Sequence, residues 1–292
     1  DPAFEFLKGD VREAEAVKAA MRGCFAVVQM AAIVGDPACA REPELAQAVN
    51  HDATLAMYEA AEAAGIQRFV FASTCSNYGR MQDPDAYVDE ESELRPVSLY
   101  AETKVAVERY LAAQPRSNRC APTSLRFSTV YGASPRMRFD LTVNEFTRAL
   151  VLGQELVVFG EQFWRPYCHV RDLARSVLSV LEAPREAVEF EVFNVGDSDE
   201  NYQKKTIVDL ILREVPGGRV RYVKKLEDPR DYRVRFDKIR ERLGFRISRT
   251  VPDGIREVKD LLEQGFLVDP NDAKYANVPT EGAARKASAS RT

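Results

Sequence analysis

Short apolar runs alternate with amphipathic stretches along most of the chain. Phe4-Glu5-Phe6-Leu7-Lys8 predicts a strand closed by a turn at Gly9-Asp10, and residues 13–22 a short helix. Phe25-Ala26-Val27-Val28-Gln29-Met30 is a buried-type strand that runs out into Ala31-Ala32. Helical periodicity covers residues 43–64 and stops at Gly65. Arg68-Phe69-Val70-Phe71-Ala72 is a second buried strand, ending in the hydroxyl residues Ser73-Thr74. A polar, proline-containing loop spans 83–96, a helix spans 98–113, and residues 123–132 form the next strand and its exit. Strand alternating with helix predicts an α/β fold built on a doubly wound parallel sheet.

The pattern changes after Ala133. Residues 134–140 read as a loop, 141–152 as an amphipathic helix and 155–159 as a short strand ended by Gly160. Residues 165–172 lead into a helix through Leu181, and Glu191-Val192-Phe193-Asn194-Val195-Gly196 reads as the last sheet strand. A helix at 205–215, a strand at 219–223 and a helix around Lys238-Ile239 complete the folded part. Past about Asn271 periodicity is lost, and residues 282–292, rich in Ala, Ser, Lys and Arg, predict a disordered tail.

Composition adds limits. The chain has 292 residues, 45% of them hydrophobic and 29% charged, which is ordinary for a globular protein with a substantial core. No apolar run approaches the ~20 residues that span a bilayer. With 41 basic against 45 acidic residues the net charge is -4, which argues against a nucleic-acid partner held by bulk charge. Five cysteines with no Cys-x-x-Cys spacing and two histidines point away from a metal site or a disulfide framework and towards a reducing, cytoplasmic setting.

The chemistry concentrates between Ser73 and Lys104. In Tyr100-Ala101-Glu102-Thr103-Lys104 the phenol and the ammonium project from one helix face. A free tyrosine titrates near ~10 and is a poor base at neutral pH. Lowering that to about 7 takes roughly 4 kcal/mol, which one cation about 4 Å away in a half-buried site can supply. Thr74, at the carboxyl end of a buried parallel strand, lies where open sheets bind ligands. It can hydrogen-bond the same hydroxyl that Tyr100 deprotonates.

With these residues the chain resembles the extended short-chain dehydrogenases/reductases of the NAD-dependent epimerase/dehydratase type, from Phe4 to about Leu267. That resemblance implies a Rossmann-like sheet over residues 1–132 and 169–196, and a smaller carboxyl-terminal substrate domain from 133–168 and 197–270, with 271–292 as the tail. It implies Thr74, Tyr100 and Lys104 as catalytic residues and NAD as cofactor, with NADP left open. Asp10 and Val11 match the segment at the adenine, and Ala31 and Ala32 the positions along the ribose and diphosphate. Asn50 matches a structural Asn behind the site, and Ser73, Tyr100 and Lys104 complete the cofactor set. For a nucleoside-diphosphate sugar, Asn144, Arg165 and Arg230 match substrate positions, with Arg233 a third candidate arginine; a fork of donors suits arginine to a diphosphate. Cys75 is a candidate extra acid beside the substrate, as in some multi-carbon epimerases, with packing under the nicotinamide the leading reading of it. His169 and Asp172 are expected to be structural.

One departure is large. The family's opening strand and Gly-x-x-Gly-x-x-Gly turn, whose backbone holds the dinucleotide phosphates, match nothing here. The first strands of the sheet are therefore expected to be absent, as in a partial sequence, and weak NAD binding is expected of this chain alone. After Thr74 the sugar 4,6-dehydratases carry Asp and Glu; Cys75 and Ser76 stand here, which disfavours dehydration and leaves epimerisation as the leading reading. A carbonyl or sugar reductase and a silent dinucleotide-binding scaffold are the alternatives. Homodimerisation through two Ala-rich helices is expected from the resemblance.

Overall fold

The computed structural model describes residues 4–81, 83, 86–224 and 230–277. In chain order its elements are α1 (Ala14–Met21), β1 (Ala26–Gln29), α2 (Asp36–Arg41), α3 (Pro43–Ala46), a π-helical turn (Gln47–Asp52), α4 (Ala53–Ala63), β2 (Arg68–Thr74) and a 3-10 turn (Cys75–Tyr78). There follow α5 (Leu99–Ala112), β3 (Ala121–Phe127), β4 (Thr129–Tyr131), α6 (Thr142–Val151), β5 (Leu156–Phe159), β6 (Trp164–His169) and α7 (Val170–Glu182). The last are α8 (Arg185–Val188), β7 (Glu191–Val195), β8 (Asn201–Gln203), α9 (Lys204–Glu214), β9 (Val220–Val223), α10 (Asp237–Leu243) and α11 (Val251–Glu263).

The chain divides into two compact units. The first gathers residues up to Asn77 with Pro96–Arg126 and Val177–Phe193. Its sheet runs in the order β1-β2-β3-β7, and the β1–β2 pair is parallel, with Ala26 opposite Arg68 and Gln29 opposite Phe71. β2 is central, so nearly every residue from Arg68 to Thr74 is buried, which is why it reads as an unbroken apolar run. Tyr58, Phe69, Phe71, Val107 and Leu111 form the core between helices and sheet. Ser98 caps α5, accepting from the Ala101 N–H at 3.3 Å while donating to Asp36 at 2.7 Å. These two bonds fix where the Tyr100 helix begins.

The strand expected at residues 4–8 is not one. These residues take no regular structure, and Phe4 and Phe6 are 73% and 74% exposed. Alternation marks a face, but a strand exists only when its backbone finds a ladder, and among the described residues this segment joins no sheet. The helix expected at 43–64 is three pieces, broken by the π turn around Asn50, a distortion that composition does not reveal.

The second unit comprises Tyr78–Arg95, Phe127–Ser176 and the residues from Asn194 on. It holds a three-stranded sheet, β4-β6-β8, and the β5–β9 pair. α6, α9 and α11 close its core around Tyr131, Phe146, Tyr167, Ile207, Ile211 and Ile255. The run read as one strand at 123–132 divides at Ser128, whose N–H and hydroxyl both turn to the Val195 carbonyl, at 3.3 and 2.7 Å. Residues Trp164–His169, read as an approach to a helix, form β6 because β4 and β8 pair with its two edges. Residues 271–277, expected in the tail, include packed ones: Tyr275 meets Phe139 edge to face at 5.7 Å, and its carbonyl accepts from the Phe139 N–H at 2.8 Å. Residues 278–292, the rest of the expected tail, lie outside the described residues.

Candidate functional site

β2 and α5 bring the expected catalytic residues into the first unit. Thr74 ends β2, 8% exposed, its hydroxyl accepting from the Ser76 N–H at 3.1 Å. Tyr100 lies in the first turn of α5, half-buried. Lys104 follows one turn later, 2% exposed, and its Nζ donates to the Ala72 carbonyl at 2.7 Å, two residues before Thr74. The ammonium sits 4.6 Å from the Phe71 ring centre and 5.9 Å from that of Tyr100. Burial draws the Lys104 pKa from 10.5 to about 8, with Glu108 and then Cys39 acting the other way. The lysine thus keeps most of its charge at neutral pH.

Ser73 and Cys75, on either side of Thr74, face inward. The Ser73 hydroxyl donates to Glu108 and accepts from Asn77 Nδ2 at 3.1 Å. The Cys75 thiol is 1% exposed and donates to the Arg126 carbonyl at 3.2 Å. Cys75 packs into the strand layer, as the packing reading expects, and its burial takes it out of the expected substrate set.

The expected cofactor positions fall in the same unit. Ala31 and Ala32 follow the carboxyl end of β1 and are exposed and half-buried, respectively. Behind them Asn50 is fully buried, its Oδ1 accepting from the Ile33 N–H at 2.7 Å and its Nδ2 donating to the Ile33 carbonyl at 3.0 Å. Asn50 therefore staples the segment after β1 to the π turn, and Gln29, fully buried, adds a 2.7 Å bond to Thr54. Asp10 and Val11 line a cavity of ≈ 430 Å³ together with Leu7, Ala26, Val27 and Met57. The Arg12 guanidinium holds the Asp10 carboxyl at about 2, well below its usual range.

The remaining candidates belong to the second unit. Asn144 is buried, its oxygen accepting from the Gly132 N–H at 2.9 Å and its amide donating to the Gly132 and Arg138 carbonyls, both at 3.2 Å. Its amide protons are spent on the loop after β4, so its expected contact with a ligand gives way to a structural one. Arg165 is 7% exposed, with its guanidinium 5.3 Å from the Tyr232 ring and Nη1 donating to the Trp164 carbonyl at 2.6 Å. Arg230 is half-buried, and Arg233 lies 4.8 Å from the Tyr87 ring and 5.0 Å from that of Trp164. Aromatic faces of this kind hold planar guanidinium groups in place.

His169 and Asp172 are structural. The His169 Nδ1 accepts from the Arg171 N–H at 3.2 Å, so Nε2 carries the proton that meets Glu257 at 2.7 Å. Asp172 accepts from the Ser248 N–H and hydroxyl and the Arg249 N–H, all within 3.0 Å.

Comparison with known proteins shows the family. The model of the NAD-dependent epimerase/dehydratase family matches residues 1–196. The chain belongs to that family. Among its relatives, a UDP-glucose 4-epimerase of Corynebacterium glutamicum is 27% identical over 258 residues, covering 82% of this chain and 76% of the relative. A dTDP-glucose 4,6-dehydratase of Streptomyces niveus is 29% identical, covering 87% and 74%. The solved structure of MoeE5 in complex with UDP-glucuronic acid and NAD superposes with a TM-score of 0.77 at 25% identity, covering 89% of this chain and 85% of that one.

The sequence reading missed Glu108 and Arg126. Arg126 donates to Glu108 through Nε at 3.2 and 3.1 Å and Nη2 at 2.7 Å, with both side chains about 5% exposed or less. A signal existed: an arginine inside the apolar run Ser124-Leu125-Arg126-Phe127 needs a buried partner, and Glu108 continues the four-residue spacing of Tyr100 and Lys104.

Proposed function

We propose that this protein is a NAD-dependent nucleotide-sugar epimerase that transiently oxidises a sugar hydroxyl. The observation carrying the reading is the buried Lys104 ammonium one helical turn from Tyr100 and bonded to the strand that ends in Thr74. Tyr100 takes the hydroxyl proton as general base. Lys104 favours the phenolate by charge and is assigned to the nicotinamide ribose, and Thr74 orients the hydroxyl. The residues that would hold the nicotinamide end of the cofactor suit it in kind: Lys104 is a buried cation, Tyr100 a half-buried phenol, and Ala31 and Ala32 carry side chains small enough for close approach to the backbone. NAD, when bound, supplies the hydride acceptor and later its donor. Asp10 and Val11 are assigned to its adenine end.

Arg165 and Arg230 are assigned to the substrate's diphosphate, which two guanidinium groups can neutralise. Thr74 is followed by Cys75, whose thiol is committed to a backbone carbonyl, and by Ser76. Neither offers the carboxylic acid–base pair that eliminating water requires, and this favours epimerisation over the dehydration named for the Streptomyces niveus relative. The protein is further proposed to act as a homodimer in the cytoplasm, where its buried thiols Cys39, Cys75, Cys120 and Cys168 stay reduced.

Incubating the full-length protein with saturating NAD and UDP-, dTDP-, CDP- or GDP-hexoses and following the anomeric region by NMR tests the proposal. A C4 epimer is the expected product, and Tyr100→Phe abolishes it without changing the melting temperature. A 4-keto-6-deoxy sugar would replace this reading with dehydration, and steady consumption of added NADPH would replace it with reduction. Full activity in Tyr100→Phe would remove the acid–base assignment.

A further inference from the structure

Helix α5 carries a third ionisable residue in the row of Tyr100 and Lys104. Glu108 follows Lys104 by four, as Lys104 follows Tyr100, so all three leave one face. Its carboxylate is 4% exposed and fully engaged, by the Arg126 Nε and Nη2, by the Ser73 hydroxyl and by Asn77 Nδ2 at 3.0 Å. α5 is thereby joined to β2 at two successive residues: Lys104 bonds the Ala72 carbonyl and Glu108 bonds the Ser73 hydroxyl. Thr74 is the next residue, and Asn77 ties the following turn to the same carboxylate.

A buried ion pair adds little net stability, because desolvating two charges offsets much of their attraction, and apolar side chains of the same volume serve as well. What apolar residues could not supply is a fixed negative charge one turn from a buried ammonium. The influences on Lys104 are burial, which lowers its pKa, and Glu108 and Cys39, which raise it, Glu108 the more.

We propose that Glu108 is a positioning residue: clamped by Arg126, Ser73 and Asn77, it keeps Lys104 an ammonium beside Tyr100 and fixes the strand tip that presents Thr74. The proposal builds on the assignment of Tyr100 and Lys104 as the acid–base pair, but its test reads Lys104 itself. The other groups on elements packed against α5 are arranged differently. The Cys39 thiol of α2 is raised by burial, Asp36 accepts from Ser98, His51 and Asp52 of the π turn pair with each other, and Glu59 of α4 accepts from Tyr110.

The full chain labelled with 13Cε-lysine reports the Lys104 titration, with its signal assigned by its loss in Lys104→Arg. The wild-type midpoint is expected at about 8, and Glu108→Gln lowers it. Glu108→Gln/Arg126→Met removes both charges; it recovers the melting temperature while the midpoint stays low. Glu108→Asp keeps the charge, so its midpoint stays close to wild type even where melting falls. A double variant titrating like wild type, or an aspartate variant shifted as far as the glutamine one, overturns the proposal. Inactivity of the full-length wild-type protein on nucleotide sugars at saturating NAD, with the midpoint shift present, would remove the epimerase reading and leave Glu108's role standing.

Discussion

Glu200 gives the second unit a pH-dependent stability whose size follows from the structure. It is 5% exposed, and its carboxylate accepts from the Val251 N–H at the first turn of α11, at 2.8 Å, and from the Tyr202 hydroxyl at 3.1 Å. Burial raises its pKa from 4.5 to about 7; the bonds from Val251 and Tyr202 oppose this, and Asp197 and Asp253 add to it. The folded state therefore binds this proton more tightly than the unfolded state does. The associated stability is fully present below about 4.5 and is lost as pH rises through about 7. A difference of about 2.5 units at 1.36 kcal/mol each gives about 3 kcal/mol in full, of which about 2 to 3 kcal/mol falls between pH 5 and 8. Glu200→Gln has no proton to lose, so its unfolding free energy relative to wild type should rise by that amount across the interval. Urea unfolding of both proteins at half-unit steps measures it, since other titrating groups cancel in the difference and lost hydrogen bonds enter as a constant offset. A gap flat to within ~0.5 kcal/mol from pH 5 to 8 would mean that Glu200 is ionised at its ordinary pKa, and the desolvation argument would fail.

Cys75→Ser keeps a donor for the Arg126 carbonyl, so turnover should stay within about twofold of wild type; a tenfold loss with unchanged melting would make the thiol a participant in the reaction. Gly132 has φ +103°, and a Cβ there would lie 2.2 Å from His169 Nε2. Gly132→Ala should therefore cost about 2 kcal/mol or more, read as lowered stability in urea; wild-type stability would show that the β4 exit and His169 can separate without loss.

How much of this was legible in the sequence depended on whether the decisive partners were near one another along the chain. Tyr100 and Lys104 are a helical turn apart, and Thr74 closes an apolar run, so spacing and pattern alone located them. Asn50 was recognised by resemblance, but the π turn that aims its amide at Ile33 was not, since seventeen residues separate the bonded groups. Residues 4–8 alternate as a strand should and yet pair with none, because a ladder is a property of two segments while alternation belongs to one. Asn144 was placed correctly on its helix and assigned the wrong partner for a related reason: an amide carries three or four bonding positions, and only the folded loop shows that Gly132 and Arg138 occupy them.

The same reasoning explains why Glu108 stayed hidden although it stands in the most informative stretch of the chain. Read alone, a glutamate in an amphipathic helix is a solvated surface residue, and its position on the Tyr100–Lys104 face is a coincidence expected often at a spacing of four. What removes the coincidence is Arg126, eighteen residues on, in a strand where a lone guanidinium would be untenable. Each charge makes the other's burial possible, and together they bring an anion to one turn from Lys104, where neither could have been kept singly. A lysine in a dry site needs such a counter-charge more than a solvated one does, because the burial that strengthens its field also weakens its hold on its own proton. The demand for an anion near Lys104 was thus implicit in the apolar strand Phe69-Val70-Phe71 that buries it, and the fold meets that demand with Glu108.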